Sequence, residues 1–112
     1  MQRFLFRFGY ETPQQRRDND AQGWDDEDCG DLFIRADSES ETLAWGAEVA
    51  ERFVHELYQC SNCAEHFSWR EAGYACWIAV DDKIVAKASG IPEVGLGEYP
   101  EGGLFELGVA GA

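Results

Sequence analysis

Residues 3–10, RFLFRFGY, alternate with a strict period of two. Phe4, Phe6, Phe8 and Tyr10 share one side, and Arg3, Leu5 and Arg7 the other. That is the pattern of a β-strand with one aromatic face in a core. Any fold for this chain must therefore contain a sheet with a packed face.

The rest of the architecture follows from neighbouring signals. Pro13 ends the first strand, and Asp31–Ala36, DLFIRA, reads as a second. Ser38 with Glu41 three residues on fits a capping box and opens a helix. Leu43, Ala47, Ala50, Val54 and Leu57 form its apolar stripe, widened by Trp45, Val49 and Phe53. Gly46 costs about 1 kcal/mol relative to Ala inside that helix, and would let it approach the sheet closely. Tyr74–Val80, YACWIAV, reads as a third strand; after a turn at Asp81–Asp82, Lys83–Ala88 reads as a fourth. The expectation is an α+β fold. A small mixed sheet of three to four strands (about 3–10, 31–36, 74–80 and 83–88) is packed by one long helix (about 39–58). The strand–helix–strand order implies a right-handed crossover with parallel flanking strands and the N-terminal strand beside them. At 112 residues one domain is expected, with a polar acidic loop over 11–30 and a Gly-rich C-terminal arm over 89–112. Twenty residues without structure are unusual in a compact domain, so part of 11–30 is expected to be a short helix or a functional loop. Leu104–Leu107 could add an edge strand.

Charge bounds the function. Twenty-two Asp and Glu face nine Lys and Arg, for a formal net charge of −13. Asp18, Asp20, Asp25, Asp26, Glu27, Asp28 and Asp31 form a block without a base. Such a surface repels nucleic acid and anionic membrane and attracts basic proteins or hard cations. Self-repulsion costs stability, so salt or a cationic partner should stabilise the fold. With four Trp, seven Phe and four Tyr, the chain is too apolar for a disordered acidic tail. Met1–Tyr10 is interrupted by Arg3 and Arg7 and does not read as a signal peptide, and no run approaches the roughly 18 apolar residues of a membrane span. A cytoplasmic location is expected, with the four cysteines reduced unless they hold metal.

Two constellations stand out. Trp24 directly precedes Asp25, Asp26, Glu27 and Asp28, an aromatic anchor beside a charged rim as in an interface hot spot. The alternative is that Trp24 tucks the loop onto the core. In the same segment, Asp18-Asn19-Asp20-Ala21-Gln22-Gly23 opens like a calcium-binding loop, but Cys29 stands where the bidentate Glu belongs. The second constellation is His55, Cys60, Cys63 and His66, whose Cys-x2-Cys knuckle could share a tetrahedral zinc. Against it, zinc fingers and ribbons space their ligand pairs more widely, and reduced thiols with surface histidines explain the same residues. Cys76 reads as core. A redox role for Cys60 and Cys63 is disfavoured by a preceding helix C-terminus and an acidic chain.

No nucleophile motif or phosphate-binding loop supports catalysis, so the reading leans away from an enzyme. The preferred function is a small acidic protein that sequesters or inhibits a basic, nucleic-acid-handling protein without binding nucleic acid or membrane itself. In size and charge, though in no motif, it resembles bacterial immunity proteins and anti-defence inhibitors that mimic nucleic acid. No cofactor is expected on that reading. The alternative is a zinc-binding structural or regulatory module. A homodimer through the C-terminal arm is a further expectation.

Overall fold

The aromatic strand is the centre of the sheet. In the computed structural model, which describes residues 2–60, 68–79 and 91–100, β1 (Gln2–Tyr10) lies between β2 (Asp28–Ala36) and β3 (Cys76–Ala79). Both neighbours run antiparallel to it. A short β4 (Glu93–Gly95) adds parallel to β2, giving a mixed four-stranded sheet in the order β3-β1-β2-β4 among the described residues. β2 and β3 are thus parallel to each other, as the strand–helix–strand order implies, but β1 is inserted between them.

The long helix α2 (Glu39–Cys60) covers one face of this sheet. Ser38 caps it: its hydroxyl accepts from the Glu41 N–H at 3.2 Å and donates to the Glu41 carboxylate at 3.1 Å. Glu39 and Glu41 place negative charge in the first turn, where the helix dipole favours it. Phe6, Phe8 and Tyr10 from β1 and Leu32, Ile34 and Ala36 from β2 pack against Val49, Ala50, Phe53, Val54 and Tyr58. Fully burying a side chain of this size contributes about 1.5–3 kcal/mol. Phe53 meets Phe8 and Tyr10 edge-on, with centroids 5.8 and 5.0 Å apart. The helix α3 (Trp69–Ala72) closes one end of the core with Trp69, whose ring stands edge-on to Phe8 and whose Nε1 donates to the Gly9 carbonyl at 2.8 Å.

The buried arc of α2 is rotated from the stripe expected of it. Leu43 is 36% exposed, while Thr42 and Gly46 are buried. The cause is Gly46, which sits under the Phe6 ring: a Cβ there would lie 2.5 Å from two ring carbons. An apolar stripe drawn through side chains passes over the one residue that faces the sheet because it has none.

The opposite face of the sheet alternates charge with apolar side chains. Leu5 and Phe33 are buried there and pack with Ala79 and Ile91. Arg7 and Asp31 stand opposite each other in register and pair at 2.7 Å. Arg3 and Arg35 are also directly opposite, a like-charge pair that destabilises a sheet unless relieved. Glu93 relieves it, bridging Arg3 at 3.3 Å and Arg35 at 2.8 Å. Arg35, and with it Arg3, holds the Glu93 carboxyl below its ordinary range.

Three segments refine the sequence reading. Residues 13–22 form a helix, α1 (Pro13–Gln22), and β2 begins at Asp28, so the polar stretch between strands shortens to a few residues. β3 begins at Cys76, two residues later than the start expected at Tyr74, and the expected end at Val80 lies outside the described residues. Within the C-terminal segment read as an arm, residues 93–95 form β4, with Val94 in the core. The strand expected over 83–88 and the edge strand at Leu104–Leu107 lie outside the described residues.

Gly46→Ala tests the helix–sheet contact. The intrinsic helix preference of Ala favours it by about 1 kcal/mol, but overpacking against Phe6 costs about 1–3 kcal/mol. The variant is expected to unfold at lower urea concentration than the wild type. A raised midpoint would show that Phe6 moves aside freely.

Candidate interaction site

The acidic block is built around α1. Thr12 caps this helix with a reciprocal box: its hydroxyl accepts from the Gln15 N–H at 3.1 Å, and the Gln15 side chain accepts from the Thr12 N–H at 2.8 Å. Pro13 takes the first helical position, where its missing N–H costs nothing. Gly23 ends the helix at φ 72, a left-handed conformation that glycine adopts without strain. Asp18 and Asp20 belong to this helix, so the residues resembling the opening of a calcium loop do not wrap an ion.

Almost all of α1 is polar, and Pro13 and Asn19 are its buried residues. Asn19, 7% exposed, uses its whole amide. Its Nδ2 donates to the Asp26 carbonyl at 2.9 Å and to the Glu11 carboxylate, and its Oδ1 accepts from the Asp26 N–H at 3.2 Å. The Gly23 N–H donates to the Asn19 carbonyl at 2.8 Å, and Gln15 Nε2 donates to Asp28 at 3.0 Å. The chain is therefore held at 23, 26 and 28.

Between those pins Trp24 is 55% exposed. The structure thus places it outward rather than tucked onto the core. Asp25, Asp26, Glu27 and Asp28 are exposed beside it. They do not behave alike. Asp28 opens β2 and accepts from Gln15, and the Glu27 carboxylate lies over Gly9, where a Cβ would approach it to 2.8 Å. Asp25 and Asp26 make no side-chain hydrogen bond or ion pair among the described residues and face outward with the indole.

Glu11 anchors the arrangement to the core. Its carboxylate accepts from Asn19 and from the Tyr74 hydroxyl, and its carbonyl accepts from the Tyr58 hydroxyl at 2.9 Å. Burial pushes the Tyr74 phenol up, reinforced by the hydrogen bond to Glu11 and by the charges of Glu11 and Glu27. Burial likewise pushes Tyr10 up to about 12, helped by the charges of Asp28 and Cys29.

Of the other candidate residues, His55 and Cys60 lie within the described residues. His55 is half-buried on α2 and lines a groove of about 440 Å³ with Glu48, Glu51, Arg52, Glu56 and Tyr99. Cys60 is the last residue of α2, and Cys63 and His66 lie outside the described residues. Among the described residues, no three His, Cys, Asp or Glu side chains converge where they could hold a metal ion. Cys29 and Cys76 are free thiols, both pushed up chiefly by burial and so poorly nucleophilic. No helix among the described residues is long and apolar enough to cross a membrane.

No protein-family model, curated protein sequence or solved structure matches the chain.

The sequence reading missed Glu11, Asn19 and Tyr74. The cap was legible, since Thr12, Pro13 and Gln15 follow the capping rule. The side-chain bonds were not, because Glu11 and Tyr74 are 63 residues apart.

The tyrosines predict alkaline sensitivity. A phenol whose pKa is raised by folding stabilises the protein fully below its unfolded value, about 10. For Tyr10 that contribution is lost as pH rises toward about 12. The urea midpoint should fall steadily across this window, and less steeply in Tyr74→Phe. A flat profile would show that neither phenol is desolvated in solution.

Proposed function

We propose that this protein sequesters or inhibits a basic protein of the nucleic-acid-handling class, working in the cytoplasm and binding no nucleic acid itself. One observation carries the reading: an exposed Trp24 on a pinned loop beside the outward carboxylates of Asp25 and Asp26. A large aromatic side chain held in water is the kind of group that becomes a hot spot when a partner desolvates it. The surrounding carboxylates steer a cationic partner and raise the association rate at low salt. Nucleic acid, itself a polyanion, would be repelled by the same field. Three of the nine bases, Arg3, Arg7 and Arg35, are paired with carboxylates on the far face of the sheet.

A fluorescent peptide rich in lysine and arginine provides the test. Affinity is expected to fall steeply with salt, and Asp25→Asn with Asp26→Asn should flatten that dependence. Trp24→Ala should weaken binding by at least about tenfold at fixed salt, since truncating a hot-spot aromatic costs about 2 kcal/mol. Equal binding by Trp24→Ala would reduce the interaction to unspecific attraction by a chain of −13 and overturn the proposal.

A further inference from the structure

We infer that Asn19, oriented by Glu11, is a positioning residue for the Trp24 surface, so that partner affinity depends on a buried amide that never touches the partner. The inference rests on the partner-binding reading of that surface and adds how the surface is held ready.

An exposed loop of mixed polar residues ordinarily samples many conformations, and binding through it must then supply the cost of ordering it. Here both backbone polar groups of Asp26 are tied to one side chain. Because Asn19 also accepts the Gly23 N–H on its own carbonyl, one residue holds the chain on both sides of Trp24 and Asp25. Only those two residues span the gap.

A free Asn side chain rotates, so it fixes a loop only if it is fixed itself. Glu11 supplies this by accepting from Nδ2, which also settles which end of the amide is nitrogen. Glu11 is in turn held by Tyr74 from the segment before β3 and, through its carbonyl, by Tyr58 near the end of α2. The chain of bonds runs from the packed helix and sheet to the loop without a gap. Among the described residues, no buried side-chain polar atom lacks a partner. Such a fully satisfied network rigidifies its surroundings.

This role differs from that of the carboxylates. Charge acts before contact, on the association rate and the salt slope; order acts on the bound state, chiefly the dissociation rate. Asn19→Ala removes no charge. It should leave the salt slope unchanged while raising the dissociation rate of the basic peptide about tenfold, the consequence of ordering one to two backbone residues anew. Glu11→Gln should largely retain binding, because its amide can accept from Asn19 and donate to the Tyr74 hydroxyl. Glu11→Ala should raise the dissociation rate as Asn19→Ala does, and Glu11→Gln, which removes the same charge, is its control.

The order of the loop is read separately from binding. In the wild-type protein, the Asp26 amide should exchange with solvent more slowly than those of Trp24 and Asp25. In fluorotryptophan-labelled protein, the Trp24 fluorine line should narrow in Asn19→Ala. Uniformly fast exchange over residues 24–26, or an Asn19→Ala variant that folds and releases the peptide at the wild-type rate, would overturn the inference. If the wild-type protein fails to bind the peptide at all, the proposed function falls. The exchange pattern, which needs no variant to fold, and the fluorine line then still decide whether Asn19 holds the loop.

Discussion

The rings of Phe6 and Phe8 lie where two glycines leave room, Phe6 against Gly46 of α2 and Phe8 against Gly30 of β2. The rest of the structure depends on this fit. It brings the helix close enough for Val49, Phe53 and Val54 to close over the sheet, and it lets β1 serve as the central strand with an aromatic face. Trp69 completes the cluster from a separate short helix and also satisfies a carbonyl of β1. The apolar stabilisation gathered here offsets the self-repulsion of a strongly acidic chain.

Charge is distributed unevenly around this core. The sheet face away from α2 places its arginines against carboxylates, and one glutamate resolves an Arg–Arg pairing that the register imposes. Among the described residues, no arginine pairs with Asp25 or Asp26 beside Trp24. The carboxylates there divide by geometry: Glu27 and Asp28 turn back onto the chain, whereas Asp25 and Asp26 stay outward with the indole. The exposed Asp25 and Asp26 therefore stand beside an exposed tryptophan whose loop is pinned by Asn19.

The link between core and surface is polar. Glu11 directly follows the aromatic strand and gathers bonds from α1, α2 and the segment before β3. Burying part of a carboxylate in an acidic protein is unfavourable unless donors surround it. The Tyr74 hydroxyl and the Asn19 amide do so here. The same bonds turn a polar helix with almost no apolar face into a fixed element, since α1 contributes only Pro13 and Asn19 to the interior.

Much of this fold was legible in local pattern. Alternation marked β1, the Ser38–Glu41 box marked the start of α2, and the chain's composition announced an acidic, structured protein. α1 was obscured because a helix without an apolar stripe offers periodicity nothing to detect, although its cap was written in Thr12, Pro13 and Gln15. The true arc of α2 was obscured because its closest approach to the sheet is made by a glycine. By itself, the sequence determined β1, the core of β2, the extent of α2 and where the negative charge lies, because those depend on neighbours within a few positions. Only the tertiary structure decided that β1 separates the two parallel strands, that Gly46 faces Phe6, and that Trp24 points into water. Each of these rests on strand pairings, packing contacts or side-chain hydrogen bonds between residues that the chain brings together only by folding.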